Sequence, residues 1–214
     1  MGRIGLAGPE SRAATTMHRG LGIDMKTRLA LIALTFLVAA CARGPDFSQT
    51  VLEFQRLKNE GNVEQALSLF ADKPSLQFGP LGTITGLNEV RGILEYDRAL
   101  NTQLRIEECQ ATGLEVSCRV IETNDWLKSV DIKSITYDEN RFTFTSDGRI
   151  QSVASTLSAE SEQLLGAAMT RFDAWARANQ PSAYASLFSD KGAFVYSHEN
   201  AEKVLALLRK WRIE

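Results

Sequence analysis

The sequence predicts an α+β fold: helices laid on a curved antiparallel sheet, with a helical extension behind it. Three observations predict it. Two hairpins follow one another between residues 104 and 156. Three segments with apolar faces at helical spacing precede them, and residues 157–214 return to helical spacing. A sheet of four or more strands has one face that helices must cover. With 214 residues, 44% of them hydrophobic, the chain can build one sizeable core. Its formal charge is −2 and no basic patch stands out, which argues against nucleic acid as a partner.

The N-terminus reads as a targeting segment, not as part of the fold. Met25-Lys26-Thr27-Arg28 supplies a start residue and two positive charges, and Leu29–Ala40 is apolar except for Thr35. Twelve residues are too few to span a bilayer, which takes about twenty, but they suit a signal-peptide core. The run ends in Val38-Ala39-Ala40-Cys41, which resembles the lipobox of bacterial lipoproteins. That resemblance implies removal of residues 25–40 and lipidation of Cys41, palmitate included, as the new N-terminus. It makes the membrane a partner and the cell envelope the location. Ala42, not being Asp, implies outer-membrane delivery in a two-membrane bacterium, and the cell surface otherwise. The alternative is a chance cysteine after an ordinary signal peptide. Residues 1–24 lie upstream of a complete signal and look like an over-called start. Removing residues 1–40 takes away five basic and two acidic side chains, leaving 19 and 24. It also takes His18 and leaves His198 as the last histidine, so a His/Cys zinc site is not available and a Ser-His-Asp set would rest on His198.

Asp46 can cap a first helix, with Gln49 as capping-box partner, and Phe47, Val51, Phe54 and Leu57/Lys58 give its inward stripe. Gly61-Asn62 breaks it. Val63–Phe70 reads as a short second helix, Ser75–Phe78 as a first strand and Gly79–Gly86 as a Gly-rich connection. Leu87–Leu100 is a third helix, with Leu87, Val90, Ile93 and Leu94 inward.

Leu104–Gln110 and Glu115–Thr123 are strands joined at Gly113-Leu114, with Gly where a type II′ turn needs positive φ. A two-residue loop makes paired positions sum to 227, which sets Cys109 against Cys118, Glu108 against Arg119 and Arg105 against Glu122. The cysteines can then form a cross-strand disulfide in an oxidising compartment, or pack as two free thiols. Asn124-Asp125 caps a short helix at Trp126. Arg141–Thr145, the Asp147-Gly148 turn and Ile150–Thr156 make the second hairpin.

Ser68-Leu69-Phe70 with Asp72, Gly86–Val90, Glu122–Leu127 and Phe142–Ile150 together resemble the nuclear-transport-factor-2-like (NTF2-like) superfamily and its SnoaL-like branch, over about residues 47–156. The resemblance implies a cone with a pocket inside. Some members are isomerases or cyclases and many only bind or scaffold. Homodimerisation through the sheet is frequent among them. The chain would then divide into this domain at 41–156 and the extension at 157–214.

Within the extension, Phe172–Tyr196 aligns without gaps on Phe54–Phe78. Six of 25 positions are identical, five of them in Ser186–Lys191 against Ser68–Lys73. Asn200–Trp211 then mimics the third helix through Val204, Leu207 and Leu208. Either a helical half-domain has been repeated or two amphipathic helix pairs coincide. Its apolar faces must be buried on the first domain or on another chain.

Asp97 is the most suggestive chemical group. It continues the Leu87–Val90–Leu94 stripe, with Tyr96 beside it. A carboxylate in an apolar pocket has a raised pKa and can act as a general base, as in ketosteroid-isomerase-like enzymes. The other reading pairs Asp97 with Arg98, Arg105 or solvent. Asp125 could join Asp97 and Tyr96 at the rim. Trp126, Trp175 and Trp211 read as core or interface, and His198 as an exposed loop residue. Tyr137 and Glu139 carry no spacing signal. No phosphate loop, metal motif, cofactor motif or nucleophile elbow is present. The sequence therefore favours non-catalytic binding of a small apolar ligand or a partner protein at the envelope. A SnoaL-like isomerase, cyclase or hydratase working by acid–base chemistry is the second reading. A structural protein whose extension fills the cone mouth is the third.

Overall fold

The computed structural model describes residues 46–78 and 82–213. Cys41, the targeting segment and residues 1–24 lie outside the described residues. Helix α1 (Ser48–Asn59) buries Val51, Phe54 and Leu57, as the stripe predicts. Its N-cap is Phe47, which makes no capping bond; Asp46 accepts a hydrogen bond from Ser48 N at 2.9 Å and so turns the chain just ahead of the helix. Helix α2 (Val63–Ser68) stops short of Phe70, because strand β1 (Phe70–Phe78) begins there and not at Ser75. Pro74 interrupts β1, and its register against the neighbouring strand shifts between Phe70 and Ser75, which hides the first half of the strand from a period-two reading. Strand β2 (Thr83–Thr85), inside the expected Gly-rich connection, pairs antiparallel with β1. Helix α3 (Leu87–Ala99) then buries Val90, Ile93 and Leu94.

The remaining strands are β3 (Gln103–Thr112), β4 (Glu115–Thr123), β5 (Ile135–Phe144) and β6 (Ile150–Leu157). Between β4 and β5 lies α4 (Asp125–Ser129), capped by Asn124, whose side chain accepts from Leu127 N at 2.8 Å. The order across the six-stranded sheet is β2-β1-β6-β5-β4-β3. Every pairing is antiparallel except β1 with β6, so the sheet is mixed. The helices α1–α3 cover one face, and the core between them runs from Phe47 and Phe144 to Ile93 and Val120.

The central hairpin obeys two registers. Next to the turn the positions sum to 227, as in Thr112↔Glu115 and Gln110↔Ser117; beyond Glu107 they sum to 226, as in Ile106↔Val120 and Leu104↔Glu122. Glu108, at φ +54, takes up the difference as a bulge. The expected Glu108–Arg119 and Arg105–Glu122 pairings are therefore replaced: Glu107 receives both Arg105 (3.0 Å) and Arg119 (3.3 Å). Side-chain parity requires this. Leu104 and Ile106 must face the core together with Val116, Val120 and Cys118, and Cys109 can join them only if one residue is skipped. Cys109 and Cys118 are joined as a disulfide, with Cα atoms 4.1 Å apart.

After β6 come α5 (Ala159–Asn179), α6 (Pro181–Ala185) and α7 (His198–Trp211). They form their own cluster around Phe172, Leu187, Val204 and Leu208, and Trp126, Trp175 and Trp211 pack against it. The stretch between α6 and α7 is extended, with a bridge between Phe188 and Phe194. The succession helix, short helix, extended stretch, helix thus recurs in the extension. The extension docks on the first helical layer, chiefly α7 and the stretch before it on α3. The contact is close. A Cβ placed on Gly92 would lie 2.5 Å from the Tyr196 carbonyl oxygen, while Tyr96 packs edge-on against Phe194 (5.7 Å) and Tyr196 (5.4 Å).

Gly92→Ala should therefore destabilise the chain by about 1–3 kcal/mol, because backbone cannot yield as a flexible side chain does. Gly166→Ala, on an open stretch of α5 with nothing within 4 Å, should be neutral or stabilising by about 0.5–1 kcal/mol. Urea unfolding of the two variants checks the contrast.

Candidate functional site

Three apolar stripes end in a charge at the same end of the domain. On α1, Val51 and Phe54 are followed by Lys58; on α3, Val90 and Leu94 by Asp97; on the inner face of β4, Val116, Cys118 and Val120 by Glu122. Helix and strand periods carry each charge to the edge of the core that its own stripe builds. Lys58 Nζ lies 2.8 Å from Asp97 Oδ2, with the two side chains only 12% and 16% exposed. Glu122 accepts from Asn124 Nδ2 (2.8 Å) on one oxygen and from the Tyr137 hydroxyl (3.1 Å) on the other. The buried Thr102 hydroxyl donates to Asp97 Oδ1 at 3.4 Å. Among the described residues no buried side-chain polar atom lacks a partner.

The cluster holds two acids and one ammonium. Burial pushes the Glu122 carboxyl above its ordinary value, and the Asp97 charge pushes the same way against Lys58, Tyr137 and Asn124, which favour the anion. For Lys58, burial works to lower the pKa, but the carboxylates of Asp97 and then Glu122 outweigh it and hold the ammonium above its ordinary value. Burial, followed by the neighbouring Glu122, raises the Tyr137 phenol well above the ordinary range, so it remains a donor. The Lys58 charge is matched by Asp97, and Glu122 keeps its proton further up the pH scale than an exposed glutamate does.

This constellation is not the one the sequence suggested. Asp97 does lie in an apolar setting, but its partner is Lys58 and neither Arg98 nor Arg105. Tyr96 is turned into an aromatic cluster with Phe194 and Tyr196. Asp125 lies apart at the start of α4, accepting from Asn101 Nδ2 (2.5 Å) and Lys128 Nζ (3.0 Å); the Asn101 bond, with Lys128 behind it, lowers its pKa. Asp97, Tyr96 and Asp125 thus form no common set. Lys58, Glu122 and Tyr137 were not singled out as a set; Lys58 and Glu122 are legible as polar groups that continue an inward apolar period, whereas Tyr137 stands next to register shifts of β5 and follows none. His198 opens α7 and is not a loop residue; it lies 3.3 Å from Glu202.

Tyr196 lies within electrostatic reach of Asp97 and Tyr137. It belongs to the extension, yet packs on the first core, as Tyr137 and Leu104 do. Burial raises its phenol, and the Asp97 charge adds to the effect. An open groove among the described residues lies on the extension itself. It has a volume of about 420 Å³ and is lined by Arg177, Pro181, Tyr184, Ala185, Phe188 and Gly192, with the Arg177 guanidinium 4.9 Å over the Tyr184 ring. Among the described residues no His/Cys/Asp/Glu group is placed to hold a metal ion, and no helix is long and apolar enough to cross a membrane.

The raised Glu122 pKa makes stability fall with pH. The protonated form contributes fully below the unfolded-chain value of about 4.5, and that contribution is lost as pH climbs through the raised folded-state value. Glu122→Gln, which cannot ionise, should therefore gain stability relative to wild type as pH rises from about 4.5 to 8. Urea midpoints of the two proteins across that range test it; a constant difference would show that Glu122 does not titrate there.

No family model matches the chain, and no curated protein sequence matches it. Among solved structures it is similar to SalBIII, an epoxide hydrolase/cyclase-like enzyme with a role in pyran ring formation in the polyether salinomycin, at 16% identity and a TM-score of 0.49 over 54% of this chain and 92% of that one. It is also similar to an NTF2-like protein of unknown function from Cytophaga hutchinsonii, at 16% identity and a TM-score of 0.45 over 56% and 96% of the two chains. A de novo designed protein with a curved β-sheet is similar at 16% identity, with a TM-score of 0.44 over 58% and 94% of the two chains. Likeness of this degree concerns the path of the chain, helices on a curved sheet, and transfers no activity.

Proposed function

We propose that this chain is a lipid-anchored protein of the cell envelope whose NTF2-like domain acts by binding a partner protein and not by turnover, with its cone closed by its own C-terminal extension. One observation carries the reading: Asp97, the carboxylate the sequence offers as a base, is matched by Lys58 at 2.8 Å with both side chains largely buried, while Tyr196 of the extension packs on the same core. A base that is already ion-paired and largely buried is poorly placed to take a proton from a ligand. The extension offers surface of its own for recognition, including the groove around Arg177 and Tyr184. The anchor rests on the Lys26/Arg28, Leu29–Ala40 and Val38–Cys41 sequence pattern.

A second reading, an acid–base isomerase, cyclase or hydratase, is favoured by one feature: Glu122 is biased toward its protonated form close to the Lys58–Asp97 ion pair. It requires a path to Asp97 that Tyr196 obstructs. A small apolar ligand in the cone meets the same obstruction.

Tyr196→Ala should uncover the cone, so that an anilinonaphthalene dye fluoresces several-fold more strongly with the variant than with the wild type while both remain folded. A wild-type chain that binds the dye stoichiometrically, or that native mass spectrometry finds carrying a small molecule, would overturn closure and favour the ligand-binding reading. For the anchor, Cys41→Ala should abolish incorporation of labelled palmitate and move the protein from the membrane to the soluble envelope fraction. Unchanged labelling would exclude Cys41 as the lipidated residue.

A further inference from the structure

The domain has two poles, and the lipid can hold only one of them at the bilayer. At one pole Phe47 stacks on Phe144 at 4.6 Å and lies 3.3 Å from where a Gly148 side chain would begin. Phe144 N donates to Leu114 O at 2.8 Å, so the β3–β4 and β5–β6 turns share this end with the start of α1. At the other pole are Lys58, Glu122 and Tyr137, with Tyr196 of the extension packed on the same core. Helix α1 and strand β5 both run between the poles. From Tyr137 to Phe144 is about 23 Å at the rise of a strand.

Only residues 42–46 separate Cys41 from Phe47. Fully extended, those six peptide steps reach about 20 Å. That is no more than the depth of the domain itself, without the helical layer of the extension. A tether starting at the Phe47 pole therefore cannot bring the other pole and its extension down to the bilayer. It can bring the two turns there. Leu114 stands at the tip of the first turn, 43% exposed, next to a glycine at φ +61. Nearby, Arg149 pairs with both Asp72 and Asp147 at 2.8–2.9 Å, which partly offsets the acidic charge at this pole.

We infer that the pole formed by Phe47, the Gly113-Leu114 turn and the Thr145–Gly148 turn faces the membrane, with Leu114 in contact with the lipid surface, and that the extension with its groove faces away from it. The inference rests on lipidation of Cys41 as proposed above. It assigns the partner-binding surface to the side open to the envelope space.

Tryptophan quenching by brominated lipid tests the orientation. The chain has three tryptophans, and all of them, Trp126, Trp175 and Trp211, pack in the cluster of the extension. Lipidated wild type, Leu114→Trp and Ser146→Trp, the last at an exposed position of the second turn, are returned to vesicles of phosphatidylethanolamine and phosphatidylglycerol with or without dibrominated phosphatidylcholine. Flotation with the vesicles is scored first. The expected result is that wild-type emission is nearly unchanged by bromination, while most of the emission added in L114W and S146W is lost. Flotation with quenching of the wild-type tryptophans, or with neither variant quenched, overturns the orientation and leaves the anchor standing. Failure of the lipidated wild type to float removes the anchor and the orientation together.

Discussion

The Lys58–Asp97 ion pair ties the ends of α1 and α3 together at the edge of the core, and the layout of this end of the domain depends on it. Two charges at the edge of an apolar core are tolerated only because each has the other within 2.8 Å and because Thr102 supplies a further donor. Taking away one partner of such a pair generally costs about 3–5 kcal/mol, since the survivor is left uncompensated, whereas exchanging both for apolar groups can be neutral. Glu122 adds a second acid to the same ammonium. Its upward shift, held against the Asn124 and Tyr137 hydrogen bonds, is the electrostatic consequence of two carboxyl groups sharing one cation in a poorly solvated place.

The extension packs on the same core through Tyr196. A chain of aromatic contacts runs from Tyr184 to Phe188 (5.1 Å), Phe194 (5.8 Å) and Tyr196 (5.0 Å), and crosses to Tyr96 of α3. Edge-on and tilted ring pairs of this kind add to the area they bury and fix orientation as well as proximity. Gly92 lets the backbone at Tyr196 approach α3 more closely than any other residue type would. Without a side chain there, the helix offers a flat seat for the extension, and the phenol of Tyr196 reaches the edge of the first core. The seat of the extension on α3 is thus built from one missing Cβ on one side and aromatic side chains on the other.

The disulfide hairpin follows the same logic of competing demands. Leu104 and Ile106 need one side-chain parity and Cys109 the other; the bulge at Glu108 meets both at the cost of a non-glycine residue at φ +54. Cys109 and Cys118 then lie on the covered face of the sheet against the core, where the cross-link also pins the bulge.

Much of this could be read from the order of residues alone. The helices α1 and α3, the two hairpins, the Asn124 cap and the cysteine pairing are local: each depends on periods of two or 3.6, on a turn glycine or on a capping side chain within a few residues. The parity conflict between Ile106 and Cys109 was also present in the sequence, although a uniform register conceals it. The parallel pairing of β1 with β6, the early start of β1 at Phe70 across Pro74, and the short strand β2 depended on partners distant in the chain, which no local period records. The same holds for the site. That Asp97 ends an apolar stripe is written in α3, but that its partner is Lys58, that Glu122 and Tyr137 stand near it and that Tyr196 packs on the same core was decided only when helices, sheet and extension packed together. Periodicity says which face of an element turns inward; only packing says which inward faces meet.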